Sequence, residues 1–361
     1  MRNILFVELL GGIGDVLIAL SAIQALGRSY PEAKLTVLTF APGGELLKSD
    51  PLIDTIVCVE RSETNPHFAR QAVEELLASN KFDLIVSDTN YDSIEQVIQA
   101  SGASRVVTNL WRSPPPDQRV GDRFIEILLS EKLIKPEDFA APQLHLTPSE
   151  QHYAIKVGAH RITPLRDRPL IILYPDAGMV IKHWSTANFV SLGKQLQQRY
   201  NATIIVPIGS QPQQSLQIAR EIGGATQILP RGTLRELAAV MAEADLVVAS
   251  DTGPARIAAA LGTPTITLFG PSWHQRYGQP HPHINLQGYP ECPERIIHNF
   301  TLQPCWYGVC PLDEWQTCLD AIAPDDVLNA AASILEPGSG GVGSGESGFR
   351  GEWEKERVGE I

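Results

Sequence analysis

Residues 244–272 read ADLVVASDTGPARIAAALGTPTITLFGPS, in which two apolar runs enclose an alanine-rich segment. Both runs are short, continuous and largely β-branched, which is typical of strands buried in a parallel sheet. Thr252, Gly253 and Pro254 stand where the alanine-rich segment begins, and such residues favour the start of a helix. The stretch predicts a strand, a tight turn, a helix and a second strand, the repeating unit of an α/β fold.

The same alternation runs through both halves of the chain. The predicted strands are NILFVELL, KLTVLTF, DTIVCVE, FDLIVSD and SRVVTNL in the first half, and LIILYPD, ATIIVPIG, ADLVVASD and TPTITLFG in the second. Helical spacing predicts helices at Val16 to Arg28, Phe68 to Ser79, Asn188 to Tyr200, Gln213 to Ile222, Leu234 to Glu243 and Ala255 to Leu261. We therefore expect two α/β domains, each built on a parallel sheet.

A proline-broken segment separates the halves, so we expect the domain boundary near Thr163 to Pro169, giving domains 1–163 and 164–337. After residue 337 the composition changes to glycine, serine and charge, which predicts a flexible tail over 338–361.

Composition narrows the function classes. A net charge of −12 disfavours nucleic-acid binding, which needs a basic surface. No apolar segment reaches the roughly 18 residues that span a bilayer, and the N-terminus lacks an export signal. The odd number of cysteines, 5, then indicates reduced thiols. We expect a cytoplasmic protein. Peripheral contact with the inner face of the plasma membrane is a further alternative.

Polar and glycine residues follow several predicted strands, at the sheet edge where α/β proteins bind ligands. We take these as candidate substrate-binding residues: Gly11, Gly12 and Gly14 after the first strand, Asp176, Gly209 and Ser210 after strands of the second half, and Asp251, Thr252 and Gly253 in the quoted stretch. Two such domains facing each other would form a cleft lined from both sides.

The start of the helix near Gly253 suits an anion such as a diphosphate, because unpaired backbone amides and the helix dipole meet there. Asp251 or Thr252 could cap that helix. A capped helix packed closely on its sheet explains the same residues equally well.

The turn GGIGD holds Asp15, a candidate general base. Asp15 could equally be the N-cap of the helix predicted from Val16. A dinucleotide-binding turn is disfavoured, because Leu17 stands where that motif needs its third glycine.

Lys182 and Arg256 are candidate phosphate partners, although a solvated lysine is the ordinary alternative. The chain has no D-x-D pattern for a metal-held diphosphate, and its cysteine spacings match no paired zinc motif. We therefore expect neither a metal nor a cofactor, with charge on a leaving diphosphate met by helix dipoles and basic side chains.

Four motifs in order resemble glycosyltransferase family 9, the lipopolysaccharide heptosyltransferase family, over roughly Asn3 to Ile334. They are LLGGIGDVLIALSAIQALGRSYPEAKLTVLT, LYPDAGMVIKHWSTANFVSLGKQL, VPIGSQPQQSLQIAREI and TLRELAAVMAEADLVVASDTGPARIAAALGTPTITLFGPS.

The resemblance implies a GT-B fold of two Rossmann-like domains, with the acceptor on the first and the nucleotide donor on the second. It implies inverting, metal-independent transfer of a sugar from a nucleoside diphosphate, commonly ADP-heptose, to a lipopolysaccharide-core or other glycan or glycolipid acceptor. Asp15 falls at the family's catalytic base and Lys182 at its phosphate-binding lysine. Asp251, Thr252 and Gly253 fall in its donor loop.

The chain departs from the family pattern at two points. Arg256 stands where the family has histidine, and WHQRYG follows FGPS where relatives often have Asp-Pro. A sugar-nucleotide 2-epimerase of the same fold, or a non-catalytic protein that binds nucleotide sugars, are the alternatives. Arg112, Arg119 and Arg123 could meet an acidic acceptor or be solvated loop residues.

Overall fold

The computed structural model describes residues 1–112, 117–157, 168–297, 299–312 and 316–336. The predicted tail and most of the predicted boundary segment lie outside these ranges. Within them, no helix is both long enough and apolar enough to cross a bilayer.

The first half forms a five-stranded sheet in which all paired strands are parallel. Its strand order is β3-β2-β1-β4-β5, so β1 lies at the centre. The strands are β1 Asn3–Glu8, β2 Lys34–Phe40, β3 Thr55–Val59, β4 Leu84–Ser87 and β5 Arg105–Val107.

The second half forms a six-stranded parallel sheet of order β11-β10-β9-β6-β7-β8. Here β9 and β6 are the central pair. The strands are β6 Leu170–Tyr174, β7 Thr203–Pro207, β8 Thr226–Leu229, β9 Leu246–Ser250, β10 Thr265–Phe269 and β11 Ile284–Gln287.

Helices connect the strands and cover the sheets. The α-helices are α1 Ile13–Ser29, α2 Ala41–Leu47, α3 Phe68–Ser79, α4 Ile94–Gln99, α5 Val120–Ser130, α6 Pro148–Lys156, α7 Thr186–Tyr200, α8 Pro212–Ile222, α9 Leu234–Ala242, α10 Gly253–Ala260, α11 His274–Tyr277, α12 Thr317–Asp320 and α13 Pro324–Leu335.

The predicted fold class is confirmed: all nine predicted strand patterns form strands, and the two sheets are parallel. The predictions missed β8 and β11, because each is a four-residue edge strand without a continuous buried run. Helix α1 begins three residues before the predicted start, at Ile13.

One hydrophobic core joins the two halves. Every residue of α1 from Val16 to Gly27 is buried, as expected for a helix that is apolar nearly all round. The cluster that contains α1 continues through Ile257 and Ala258 of α10 and Leu170 of β6. Because α1 and α10 share this core, the starts of these two helices are fixed relative to each other.

Arg235 of α9 ties both halves together a second time. Arg235 is only 6% exposed, and its guanidinium binds Glu150 of α6 at 2.8 and 2.6 Å in a fork. It also donates to the carbonyl oxygens of Leu46 (3.0 Å), in α2, and His145 (2.6 Å). The buried cation is thus satisfied on all sides, which is the condition for such a pair to be tolerated.

Arg235→Met should lower the free energy of unfolding by about 3–5 kcal/mol, because it leaves the Glu150 carboxylate and two carbonyls without their donor. Urea denaturation of the wild type and the variant measures this. Arg70→Met is the matched control, since Arg70 pairs with Glu74 on the exposed face of α3 and should cost less than about 1 kcal/mol. Equal losses in the two variants would contradict the role given to Arg235.

The ion pair between Arg235 and Glu150 should also make the free energy of unfolding depend on pH. Hydrogen bonds from Arg235 lower the pKa of Glu150 from 4.5 to about 2. A lowered folded-state pKa stabilises the protein above pH 4.5, and this contribution is lost as the pH falls toward 2. The stability difference between the wild type and Glu150→Gln should therefore shrink between pH 4.5 and 2. A difference that stays constant over this range, measured by urea denaturation, would refute this.

Candidate active site

The starts of α1 and α10 face each other where the two sheets meet. Each helix follows a central strand, α1 after β1 and α10 after β9. A Cβ atom on Gly253 would lie 2.8 Å from Cγ2 of Ile13, so a larger residue would push the helices apart. A Cβ atom on Gly14 would lie 3.5 Å from Cδ of Arg256. The two helix starts, with their unpaired backbone amides, thus lie side by side.

Asp15 is half-buried in the first turn of α1. Its Oδ2 accepts a hydrogen bond of 2.9 Å from the backbone amide of Gly12, which is the N-cap residue. The interpretation of Asp15 as the N-cap was therefore wrong, because the helix starts earlier. Burial raises the pKa of Asp15, while the Gly12 amide and the charges of Arg256 and Lys182 oppose this rise. Asp15 thus lies within electrostatic range of both candidate cations.

The glycine turn before Asp15 is held by neighbouring side chains. Gly11 has a φ of +106°, which favours glycine, and its carbonyl oxygen accepts a 2.6 Å hydrogen bond from Arg61. The amide of Leu10 donates to Oε1 of Glu8 at 3.1 Å. Since both sides of the turn are anchored, the position of Asp15 is fixed by more than α1 alone.

Two buried acids lie beneath this turn, and the sequence analysis missed both. Glu8 ends β1 and Asp88 follows β4, in adjacent parallel strands where Val7 pairs with Ser87. They are 1% and 0% exposed. Burial raises the pKa of Glu8 to about 7, and burial together with the charge of Glu8 raises the pKa of Asp88. An acid directly after an apolar strand was the signal for each.

Asp251 gathers the candidate cations of the second half. Its Oδ2 accepts from Lys182 Nζ at 2.8 Å and from Ser272 Oγ at 2.6 Å, and its Oδ1 lies 3.4 Å from Arg256 Nη2. Burial alone would raise the pKa of Asp251, but the charges of Lys182 and Arg256 outweigh it and lower the pKa. Asp251 is therefore ionised and positions both cations. Ser272, which the sequence analysis left unassigned, completes the group.

The start of α10 differs from the prediction in one respect. Thr252 is the N-cap residue, but its hydroxyl donates to the carbonyl oxygen of Ser250 at 3.1 Å and does not cap the helix. The carboxylate of Asp251 is engaged with Lys182, Arg256 and Ser272. The sequence analysis expected Asp251 or Thr252 to cap α10. Thr252 does not do so.

Asp176 joins the loops after β6 and β7. Its carboxylate accepts hydrogen bonds from the amide of Ala177 (2.9 Å), the hydroxyl of Ser210 (3.0 Å) and the amide of Ser210. A Cβ atom on Gly209 would clash with the same carboxylate. These bonds fix the two loops together, so Asp176 shapes the site through its neighbours.

A cleft of about 660 Å³ opens between the sheets at these loops. Ala41 and Glu60 line it from the first half, and Tyr174, Ser210 and Arg231 line it from the second. Asp176 and Gly209 also line it. The volume lies within the range of small-molecule sites. Of the predicted site residues, Asp176, Gly209 and Ser210 line this cleft, whereas Asp15, Lys182 and Asp251 do not.

The two departures from the family pattern are in contact. The Nη2 of Arg256 donates to the backbone carbonyl of Tyr277 as well as to Asp251. Tyr277 ends α11, which is formed by the segment that replaces the usual Asp-Pro. The arginine at 256 is therefore held by the altered segment.

Comparison with known proteins agrees with this architecture. Lipopolysaccharide heptosyltransferase 3 of Escherichia coli is 23% identical over 292 residues, which cover 72% of this chain and 82% of that protein. The glycosyl transferase family 9 structure from Veillonella parvula DSM 2008 has a TM-score of 0.75 at 17% identity, over 93% of this chain and 98% of that one.

The structure of E. coli heptosyltransferase WaaC with ADP-2-deoxy-2-fluoro heptose has a TM-score of 0.64 at 16% identity, over 92% of this chain and 99% of that chain. The sequence profile of glycosyltransferase family 9 (heptosyltransferase) matches residues 105–295, more than half of the 361-residue chain. This chain therefore belongs to glycosyltransferase family 9, the heptosyltransferases.

Proposed function

We propose that this protein transfers a heptose or similar sugar from a nucleoside diphosphate donor such as ADP-heptose to a lipopolysaccharide-core or other glycan acceptor. The observation that carries the proposal is the approach of Gly253 to Ile13, where a Cβ atom would lie only 2.8 Å away. It brings a carboxylate on one domain beside cations on the other. Two named relatives support the choice of sugar, since one is a lipopolysaccharide heptosyltransferase and one was solved with an ADP-heptose analogue.

In the proposed reaction Asp15 acts as the general base. Its carboxylate takes the proton of an acceptor hydroxyl while that oxygen forms a bond to the anomeric carbon of the donor sugar. The bond from this carbon to the diphosphate oxygen breaks on the opposite side, so the configuration inverts. The raised pKa of Asp15 favours proton acceptance, because a base works best when its pKa approaches the working pH.

The second domain is proposed to hold the donor. The diphosphate would lie at the start of α10, where backbone amides and the helix dipole favour an anion. Lys182 and Arg256, both held by Asp251, would offset the charge that develops on the leaving group. The nucleoside would occupy the 660 Å³ cleft beside Tyr174 and Arg231.

The direct test is a transfer assay with purified protein and a panel of nucleoside diphosphate sugars. Transfer predicts release of nucleoside diphosphate that depends on added acceptor, with a new glycosidic bond detected by mass spectrometry. Conversion of the donor without acceptor would favour the epimerase alternative. Saturable nucleotide binding with no product on any acceptor would favour the binding protein.

Asp15→Asn should reduce the transfer rate by about 10²–10⁴-fold while leaving nucleotide affinity unchanged, because it removes the base and keeps the hydrogen bond from Gly12. Initial rates and calorimetric titration with ADP measure the two effects. Asp325→Asn, at an exposed position in the first turn of α13, is the matched control and should retain full activity. Full turnover by Asp15→Asn would remove Asp15 from the role of base.

The transfer rate of the wild-type protein should also fall as the pH is lowered and Asp15 becomes protonated. Because burial raises its pKa above 3.8, the loss should be centred above that value.

Lys182→Met should weaken ADP binding and slow transfer, because the variant keeps the side-chain length but removes the charge facing the diphosphate. Lys194→Met, an exposed lysine on α7, is the control. A tenfold or greater rise in the Kd for ADP is expected for Lys182→Met alone. Equal affinities in both variants would refute a donor-binding role for Lys182.

A further inference from the structure

A second cavity, of about 360 Å³, lies at the junction of the two domains and shares no lining residue with the 660 Å³ cleft. Leu17 and Ile18 of α1, in the turn of the helix that follows Asp15, form one wall. The start of α5 forms another, and α10, with the segment 276–283, closes the cavity from the second domain. Arg256 lines it as well, so the cavity adjoins the candidate active site.

Arg276 is the unusual group in this wall. Its side chain is 2% exposed, and its Nη1 has no hydrogen-bond partner. Its Nε makes a long contact of 3.4 Å to the hydroxyl of Tyr277. Among the described residues, none forms a salt bridge with it. Burying a charge without a counter-charge costs free energy, so an anion bound beside Arg276 would stabilise this site.

The other two arginines of the cavity each have a carboxylate partner. Arg119 pairs with Asp122 at 2.7 Å, and Arg256 is held by Asp251. His283 is neutral near pH 7, because burial lowers its pKa to about 4. Among the described residues, Arg276 is thus the arginine of this cavity that lacks a carboxylate partner.

Neutral polar groups line the same cavity. The side-chain amide of Gln279, Nδ1 of His283 and Oγ of Ser21 are buried and lack partners. Together they could donate to or accept from the substituents around an anionic group. The set resembles a small-molecule site, in which a few polar groups orient a ligand within an apolar wall.

We propose that this cavity binds an anionic group, a carboxylate or a phosphate, carried by the sugar acceptor, with Arg276 as its charge partner. The proposal rests on the proposed function. Its location supports an acceptor ligand, because the donor nucleoside is assigned to the separate 660 Å³ cleft and the cavity wall includes the part of α1 that follows Asp15. An anion held here would leave the attached sugar beside the candidate base.

The cavity also depends on both domains. The guanidinium of Arg276 lies 5.8 Å from the ring of Trp111 in the first domain and 5.6 Å from that of Tyr277 in the second. Cation–π contacts of this kind orient the guanidinium plane. The anion site is thus complete only when the domains have the arrangement seen here.

The binding test uses calorimetric titration with inorganic phosphate, glucuronate and glucose 6-phosphate, with and without saturating ADP. We expect at least tenfold weaker binding of these anions by Arg276→Met than by the wild type. Arg220→Met, an exposed arginine on α8, should bind as the wild type does. Equal affinity in Arg276→Met and the wild type would overturn the proposal. Because this readout compares variants without turnover, it stands even if sugar transfer fails.

The three probes distinguish an acceptor group from a free ion. Tighter binding of the sugar acid or sugar phosphate than of inorganic phosphate supports the acceptor assignment. Tighter binding of inorganic phosphate overturns that assignment. If Arg276→Met does not fold, Arg276→Lys replaces it, because lysine keeps the charge but loses the planar fork. Arg276→Lys should bind the anionic probes more weakly than the wild type does. An unchanged affinity would count against the proposal.

Kinetics then separate a binding role from a structural one. With an active acceptor, Arg276→Met should raise the acceptor KM at least tenfold and leave the donor KM and kcat within twofold. A loss of kcat with an unchanged acceptor KM would contradict the assignment.

Discussion

The close approach of α10 to α1 is the constraint on which the site depends. Gly253 allows it, since a Cβ atom there would meet Ile13 at 2.8 Å, and the shared core of α1, α10 and β6 maintains it. Without this contact, Asp15 of the first domain would lie apart from the cations around Asp251 of the second domain, and these groups could not act on one substrate. The packing of two apolar helices therefore determines which polar groups meet.

Charge balance in the site follows from that approach. Asp251 remains ionised although it is buried, because Lys182 and Arg256 lower its pKa. Glu8 and Asp88 have the opposite behaviour, since burial raises their pKa values and no cation offsets it to the same degree. The second domain thus provides fixed charge suited to an anion, whereas the first surrounds Asp15 with acids that hold their protons more readily.

Much of this architecture was predictable from local patterns. The nine predicted strands have continuous apolar runs, and the site residues after them share one edge because the carboxyl ends of parallel strands meet there. Short edge strands such as β11 lack that signal. The pairing of Arg256 with Tyr277 and the burial of Arg276 depend on contacts between distant segments. No spacing in the sequence encodes them, so the second cavity could be found only in three dimensions.

The Arg235 tie has a consequence for how substrates enter and leave. It connects α9 to α6 by a forked ion pair and to α2 of the first domain through the carbonyl of Leu46. A wide hinge movement of the two domains would break these bonds around a side chain that is buried. Substrates are therefore expected to bind and leave through local movements of side chains and of the loops at the strand ends. The hydrogen bonds of Arg235 limit how far the two domains can move apart.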